Sequence, residues 1–199
     1  KIIHLSPDRG VSHPHVISTL DYDRQAAYSM LASHAKDQGY KRAGVLTFIN
    51  RTHPNSEAFH QARATQILNV LTQQGLSPDG LWHGQIDTRQ KIAPQLTRLL
   101  KNDRPDFIVC NHVEYVVDVY HTLAKLNVAV GKEVGVACIG TGMTLRGLTP
   151  GCTHVRTPRF EQGRQAVDLA RRLMQLPPQH APLNLLIPPE LVPGDSTRR

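Results

Sequence analysis

The sequence lacks the hallmarks of several protein classes. Among its 199 residues no apolar run approaches the ~20 residues that a membrane helix needs, and the opening KIIHLSPDRG has neither the apolar region nor the cleavage pattern of a signal peptide. The sequence has no GxGxxG after its first strand-like run, no GxxxxGKS/T and no GxSxG, so the common nucleotide-binding and hydrolase signatures are excluded. We therefore expect a soluble protein without a membrane partner.

Cysteine is also scarce. The chain has three, and Cys110 and Cys138 lie within apolar strand-like runs, while Cys152 lies further along the chain. Three cysteines cannot all pair with one another, so we predict reduced thiols in the core and a reducing, cytoplasmic location. A metal or redox role for these thiols is the alternative.

Clustered charge of one sign is missing as well. The formal net charge is +7, but the basic residues are dispersed, and the densest groups are short Arg-Arg pairs. A basic helix, zinc-finger spacing and arginines interleaved with aromatic residues are all absent. The pattern favours a solvated basic surface over direct nucleic-acid binding by this segment.

What the chain does have is a regular alternation of strand-like and helix-like segments. Apolar runs such as RAGVLTFI, DFIVCN and VGVACIG are separated by segments whose apolar residues recur at helical spacing, for example Val116, Tyr120 and Leu123. Wholly apolar strands in strand, helix, strand order predict an α/β fold with a parallel sheet covered on both faces. A helix around Pro94 is possible only if it begins close to that residue.

Ligands of open parallel sheets bind beyond the carboxyl ends of the strands, where loops converge and helix N-termini offer free N–H groups. The amide of Asn111 can offer a donor and an acceptor to a hydroxylated or heterocyclic ligand there. Alternatively, Asn111 caps the helix that follows. The polar residues at such ends are Ser6, 50–55, 85–87, Asn111, His112 and 140–144.

Other candidate chemistry is weakly supported. The HPH stretch at 13–15 lacks a third metal ligand at motif spacing, and the glycine-rich GTGMT at 140–144 fits no phosphate loop, so a flexible turn is favoured there. Ser, His and Asp residues show no spacing that marks a nucleophile. We expect no catalytic residue, metal or cofactor.

Four segments follow one another in an order that indicates a family. They are GYKRAGVL, the stretch from RPDFIVCNHVEY to GVACIG, LTPGCTHVRTPRFEQGRQAVDLARRLM and LLIPPELVPGDST. They resemble, in turn, the segments GHRRIALL, PDAIFCANDEMA to SVVGFD, LTTVRQPFEEMGRRAVELLL and LPPELVVRDST of the LacI/GalR family of bacterial transcription regulators. The resemblance covers nearly the whole chain.

The resemblance implies a periplasmic-binding-protein-like fold, in which two Rossmann-like subdomains with parallel sheets hold an effector in the cleft between them. Residues 1–42 and 156–182 would form the N-terminal subdomain, 43–155 the C-terminal subdomain, and 183–199 a C-terminal strand and tail. The first subdomain would be incomplete, because KIIHLS matches the family's PVVLID strand and the family's helix-turn-helix is missing. We expect a homodimer or strand exchange to cover the exposed sheet edge.

The resemblance also implies site residues. Arg63 falls on the family's effector-binding arginine, and Asn111 matches the Asn of the family's AND motif. Ser6, His112 and Thr141 stand where the family has acidic residues, and such carboxylates accept hydrogen bonds from sugar hydroxyls in sugar-responsive members. Their loss, together with nearby basic side chains, favours an anionic ligand such as a sugar phosphate or an organic acid. The predicted ligand-binding residues are Ser6, Arg63, Asn111, His112, Thr141 and Arg159.

The function that the resemblance implies is the effector-binding and dimerisation core of a LacI-type regulator. It would sense a small metabolite, namely a sugar, a sugar phosphate or an organic acid, and couple it to DNA binding by an N-terminal helix-turn-helix. The alternative is a periplasmic solute-binding receptor of a transport system, which shares the fold. The unpaired cysteines and the PPELVPGDST ending argue against that alternative.

Overall fold

Strands and helices alternate along the chain, as the sequence pattern predicts. The structure, a computed structural model, describes residues 2–5, 17–48, 56–76, 82–86, 91–102, 104–177 and 180–199. In chain order the elements are β1 (Ile2–Leu5), β2 (Ile17–Tyr22), α1 (Arg24–Asp37), β3 (Ala43–Phe48), α2 (Ser56–Gln73), β4 (Trp82–Ile86), α3 (Ile92–Asn102), β5 (Phe107–Cys110), α4 (Val116–Lys125), β6 (Gly135–Ile139), β7 (Thr153–Arg156), α5 (Arg159–Gln175), β8 (Asn184–Ile187) and β9 (Glu190–Val192). Short 3₁₀ turns cover Val113–Tyr115, Met143–Gly147 and Asp195–Thr197.

The strands form two sheets. The smaller has the order β1-β2-β8, and the larger has the order β4-β3-β5-β6-β7-β9. Neighbouring strands run parallel, except that β9 is antiparallel to β7. The predicted α/β fold with parallel sheets is therefore confirmed. The sequence pattern predicts β8 from the apolar run at 183–187, but it does not predict β9.

The side chains of β5 alternate between the two faces of the larger sheet. Phe107 and Val109 belong to a cluster that contains the buried residues of α1 and α2, whereas Ile108 and Cys110 belong to one with those of α3 and α4. All four side chains are at most 1% exposed. Because successive side chains of a strand point to opposite faces, a wholly apolar strand needs helices on both sides.

The helices begin and end at residues that the sequence marks. The carboxylate Oδ1 of Asp23 accepts a hydrogen bond of 2.9 Å from the backbone N–H of Ala26 and caps α1, and Gly39 follows the helix with a φ of +80°. Pro94 lies in the first turn of α3, where its missing N–H removes no helical hydrogen bond. Within the described ranges, no helix combines the length and apolar character needed to cross a membrane.

Helix α5 covers the smaller sheet. Leu169 and Leu173 of this helix form a cluster with Leu20 of β2 and Ile187 of β8, all at most 8% exposed. The side-chain Nε2 of Gln162 also donates a hydrogen bond of 3.2 Å to the carbonyl of Leu20. The apolar stripe of α5 thus packs against β2, the strand that leads into α1.

The three cysteines are free and buried, as predicted for core thiols. Cys110 and Cys138 occupy paired positions on β5 and β6, and Cys152 lies just before β7. Burial raises the pKa of the Cys110 thiol, so that thiol stays protonated at neutral pH. Cys110 therefore packs as a small apolar side chain.

Candidate ligand-binding site

The candidate site lies beyond the carboxyl end of β5. The backbone N–H of Asn111, the first residue after the strand, donates a hydrogen bond of 2.9 Å to the carbonyl of Leu46 on β3. This bond extends the sheet by one residue and holds the Asn111 side chain inside, where the residue is 6% exposed. In the described part of the chain its amide nitrogen Nδ2 has no hydrogen-bond partner. Leaving a buried donor unsatisfied costs about 1–3 kcal/mol, so this amide is a candidate binding group.

The capping alternative for Asn111 is wrong. The 3₁₀ turn Val113–Tyr115 follows β5, and its cap position is His112, whose side chain makes no capping hydrogen bond. Helix α4 begins only at Val116. Asn111 therefore precedes the cap position of the turn, and its amide is not that cap.

Two histidine rings meet beside Asn111. The ring centroids of His60 on α2 and His112 lie 5.3 Å apart, and the ring of Tyr115 lies 6.4 Å from that of His112. Arg63 is one helical turn after His60 and acts electrostatically on both imidazoles. Residues from α2 and from the end of β5 thus form one cluster, which we call the ligand cluster: His60, Arg63, Asn111 and His112.

Both imidazoles of the ligand cluster are neutral at pH 7. Burial, together with the neighbouring His112 and Arg63, lowers the pKa of His60 to about 4. Burial also lowers the pKa of His112, against the opposing effect of Glu114, whose Oε2 lies 3.9 Å from His112 Nδ1. The guanidinium of Arg63 is therefore the permanent positive charge of the cluster.

Thr141 lies beside the cluster but is engaged locally. Its hydroxyl accepts a hydrogen bond of 3.2 Å from the backbone N–H of Thr157 and donates one of 3.4 Å to the Thr157 carbonyl. The loop is close-packed, since a Cβ on Gly142 would lie 3.3 Å from the Val113 side chain. Thr141 thus joins the ends of β6 and β7 next to the turn that carries His112.

The other predicted site residues have different positions. Arg159 is the first residue of α5 and is exposed, and its backbone N–H donates a hydrogen bond of 2.9 Å to the Thr157 carbonyl. Ser6 lies outside the described residues, as do positions 50–55 and 87 and the HPH stretch at 13–15. The structure therefore brings together Arg63, Asn111 and His112.

The sequence profile of the periplasmic binding protein-like domain matches residues 32–197 of this chain. The chain belongs to this family. No curated protein sequence matches the chain significantly.

Solved structures support the same fold for this periplasmic binding protein-like domain. A LacI family regulator from Silicibacter pomeroyi superimposes with a TM-score of 0.75 at 18% identity, over 99% of this chain and 58% of that chain. A LacI family regulator from Bifidobacterium animalis subsp. lactis superimposes with a TM-score of 0.77 at 20% identity, over 92% of this chain and 64% of that chain. A LacI family regulator from Enterococcus faecium, solved with bound ribose, has a TM-score of 0.76 at 15% identity, over 98% of this chain and 70% of that chain. The predicted resemblance to LacI-type effector-binding domains is confirmed for the fold, over part of the length of those chains.

His60 was not among the ligand-binding residues predicted from the sequence of this periplasmic binding protein-like domain. The signal was present, because the stretch HQAR places His60 three residues before Arg63 and hence on the same face of a helix. The partner ring, His112, comes from a strand end about 50 residues later, and only the packing of α2 against β3 brings the two rings together. Among the described residues, no group of three or more His, Cys, Asp or Glu side chains is arranged to hold a metal ion.

Proposed function

We propose that this chain is the effector-binding core of a LacI-type bacterial transcription regulator. The observation that carries the proposal is the buried amide of Asn111, whose Nδ2 has no protein acceptor in the described part of the chain and which directly precedes His112 in the sequence. Such a set of donors at the carboxyl end of parallel strands is a typical small-molecule site. The similar Enterococcus faecium regulator was solved with ribose, which supports a small polyol-type metabolite as the ligand class.

The mechanism that we propose is a population shift. The effector binds one relative arrangement of two subdomains more tightly, and this difference in affinity changes how helix-turn-helix heads, carried N-terminal to this segment in a homodimer, meet DNA. This makes the chain a binding module and not an enzyme. The free, buried cysteines favour a cytoplasmic regulator over a periplasmic receptor.

The subdomain division that we propose follows the packing. One subdomain contains β1, β2, α5 and β8, and the other contains β3 to β7 with α1 to α4 and β9. It differs from the boundary at residue 42 that the resemblance implies, and it places α1 in the second subdomain because Ala27 and Leu31 share a buried cluster with Phe107. The polypeptide then crosses between subdomains near residues 23, 157 and 188.

The experiment that tests the proposal measures ligand-induced stabilisation of the full-length protein. Thermal unfolding is recorded with neutral sugars, sugar phosphates and organic acids for the wild type, Asn111→Ala and the control Asn69→Ala, which changes an exposed side chain of α2. We expect at least one compound to raise the Tm of the wild type and of the control but not of Asn111→Ala.

DNA coupling is tested with the same proteins. The stabilising compound should change the fraction of a randomised double-stranded DNA pool that the wild type retains, and it should not change that fraction for Asn111→Ala. A Tm shift that persists in Asn111→Ala would show that the ligand binds elsewhere. A DNA fraction that stays constant at saturating ligand would contradict the regulator assignment.

A further inference from the structure

We infer that the edge of the larger sheet opposite the candidate ligand site binds the phosphate backbone of double-stranded nucleic acid. The candidate site lies beyond the carboxyl end of β5, whereas this surface lies at the amino ends of the strands. The inference therefore goes beyond the proposed function and requires no effector. We call this surface the basic edge, and its six exposed cations are Lys36, Lys41, Lys101, Arg104, Lys125 and Lys132.

The basic edge is assembled by the fold. Its residues are dispersed in the sequence, which is why the sequence pattern alone favours a solvated surface. Strands β3, β5 and β6 are neighbours and run parallel, so their amino ends lie at one edge of the sheet. Helices α1, α3 and α4 lead into these three strands in turn, and each connection carries one cation in the last turn of its helix and one before its strand. Five of the seven lysines of the chain thus lie at the basic edge.

Asp106 joins the three connections. Its carboxylate accepts hydrogen bonds from the backbone N–H groups of Lys41, at 3.1 Å, and of Arg42, at 2.7 Å. Its carbonyl accepts one of 2.8 Å from the N–H of Gly135, the first residue of β6. Because neighbouring strands lie about 4.8 Å apart, the cations that precede β3, β5 and β6 form a row roughly 10 Å long.

Local stability explains only part of the basic edge. Lysines in the last turn of a helix interact favourably with the negative end of its dipole, which accounts for Lys36, Lys101 and Lys125. The cations before the strands have no such role. Arg104 even has a φ of +44°, a left-handed conformation that a glycine adopts at lower cost. A cation at that position therefore points to a use for its charge.

The positive charge of the basic edge is left for a partner. In the described part of the chain, none of its six side chains forms a salt bridge. The described carboxylates of these connections are Asp37, Asp106 and Glu133. Glu133 accepts a hydrogen bond of 2.7 Å from the N–H of Ala129, and Asp106 also accepts one of 3.3 Å from the Arg199 guanidinium. Six cations outweigh these acids, and such a surface attracts a polyanion.

The composition of the basic edge selects a duplex. Lysine is depleted in protein–protein interfaces, whereas Lys and Arg supply the phosphate contacts of nucleic-acid-binding proteins. Single strands bind where their bases can stack on exposed aromatic side chains. The one aromatic residue of these connections, Tyr40, is 4% exposed. The partner is therefore the phosphate backbone of a duplex, which such cations contact without regard to base sequence.

The test is a lysine footprint of the full-length protein. Acetylation rates of individual lysines are measured by mass spectrometry at low salt, with and without an excess of a random duplex of about 20 base pairs. Lys91, an exposed lysine before α3 on the side of the carboxyl ends, is the internal control. We expect Lys41 and Lys132 to react at least about threefold more slowly with the duplex, and Lys91 to react equally fast. A readout for each lysine separates the basic edge from any DNA-binding head on the same polypeptide.

Charge-removing variants test the same surface through its salt dependence. Lys41→Gln/Arg104→Gln removes two cations of the basic edge, and Arg146→Gln/Arg172→Gln removes two exposed arginines elsewhere as the matched control. Each phosphate contact contributes about 0.9 to the slope of log affinity against log salt concentration, so the slope read from Lys132 should fall by about 1.8 in the first variant only. Arg104→Gly, which suits the left-handed backbone, should give a fall of about 0.9 with an unchanged Tm.

Equal acetylation of Lys41 and Lys132 with and without the duplex would overturn the inference, and so would a slope at Lys132 that is the same in all variants. Protection by phosphatidylserine vesicles or by poly-glutamate, but not by the duplex, would assign the basic edge to a membrane or to an acidic protein instead. None of these results bears on the proposed function, which depends on the effector site.

Discussion

Two polar clusters of this domain, each partly buried, differ in how their hydrogen bonds are satisfied. One is the ligand cluster. The other, which we call the C-terminal clamp, consists of His34, Thr153, Ser196 and Thr197. In the clamp, the Ser196 hydroxyl donates a hydrogen bond of 2.6 Å to the Val136 carbonyl and accepts one of 2.8 Å from the backbone N–H of Thr153. Thr197 Oγ1 lies 2.6 Å from Thr153 Oγ1 and 2.7 Å from His34 Nε2.

The difference indicates two uses of a buried polar group. Polar groups that hold a fold together pair with one another, because a buried group without a partner destabilises the protein. In the ligand cluster the amide of Asn111 keeps an unused donor in the described part of the chain, at a cost in stability that a ligand can offset. The clamp should therefore respond to mutation in stability, and the ligand cluster in affinity.

The largest effect should come from the clamp variant Thr153→Val. The Thr153 hydroxyl accepts a hydrogen bond of 2.8 Å from the backbone N–H of Gly194. It also lies within hydrogen-bond distance of the Gly194 carbonyl, at 3.0 Å, and of the Thr197 hydroxyl. Valine keeps the shape but removes these contacts, so we expect the free energy of unfolding to fall by about 3 kcal/mol. Urea denaturation measures this change.

Thr65→Val is the matched control, because the Thr65 hydroxyl is exposed and bonds only to the carbonyl of Gln61 within its own helix. We expect its free energy of unfolding to change by less than about 0.5 kcal/mol. Equal losses in Thr153→Val and Thr65→Val would remove the distinction that defines the clamp. The dissociation constant for ligand should stay the same in both variants.

The next effect concerns the ligand cluster. Arg63→Ala removes its permanent charge, and hydrogen bonds to charged groups contribute about 1.5–3 kcal/mol, so ligand affinity should fall by about 10- to 150-fold. Titration calorimetry measures the affinity, and thermal unfolding checks that stability is kept. Arg98→Ala, an exposed arginine of α3, serves as the control. An unchanged Tm shift on ligand addition in Arg63→Ala would show that the cleft lies elsewhere.

The fold could be predicted from the sequence because its signals are local. The apolar runs that became β3, β5 and β6 and the helical spacing of α4 need only neighbouring residues to be recognised. Strand β9 gave no such signal, since its three residues, Glu190–Val192, are held by pairing with β7 and not by an apolar pattern of their own. Short edge strands are specified by their partner.

The ligand cluster could be predicted only in part. Asn111 and His112 stand at a strand end, and Arg63 follows from the family resemblance. His60 joins them through the packing of α2 on the sheet, a contact between positions far apart in sequence. The clamp shows the same limit, because His34 and Thr197 are separated by 163 positions and meet only once β7 and the 3₁₀ turn Asp195–Thr197 have packed.

Stability should fall as the pH is lowered below 6.5. Folding lowers the pKa of His60 from 6.5 to about 4, so the unfolded state binds more protons between these values and stability is lost on acidification. We expect His60 to account for roughly 2 kcal/mol of that loss. Burial lowers the pKa of His34 in the clamp as well, which adds to the loss in the same direction.

Urea denaturation of the wild type and of His60→Gln across this pH range measures the contribution of His60. The variant should show a flatter profile, with the remaining slope due in part to His34 and His112. Identical slopes in the variant and the wild type would show that His60 is not the group that titrates.

The smallest effect on stability should come from Asn111→Ala. The substitution loses some packing but also removes a buried amide whose Nδ2 has no partner among the described residues, so the two effects oppose each other. We expect the free energy of unfolding to change by less than about 1 kcal/mol, in contrast to Thr153→Val. A loss as large as that of the clamp variant would mean that the Asn111 amide is a structural group, and the two clusters would then differ in position alone.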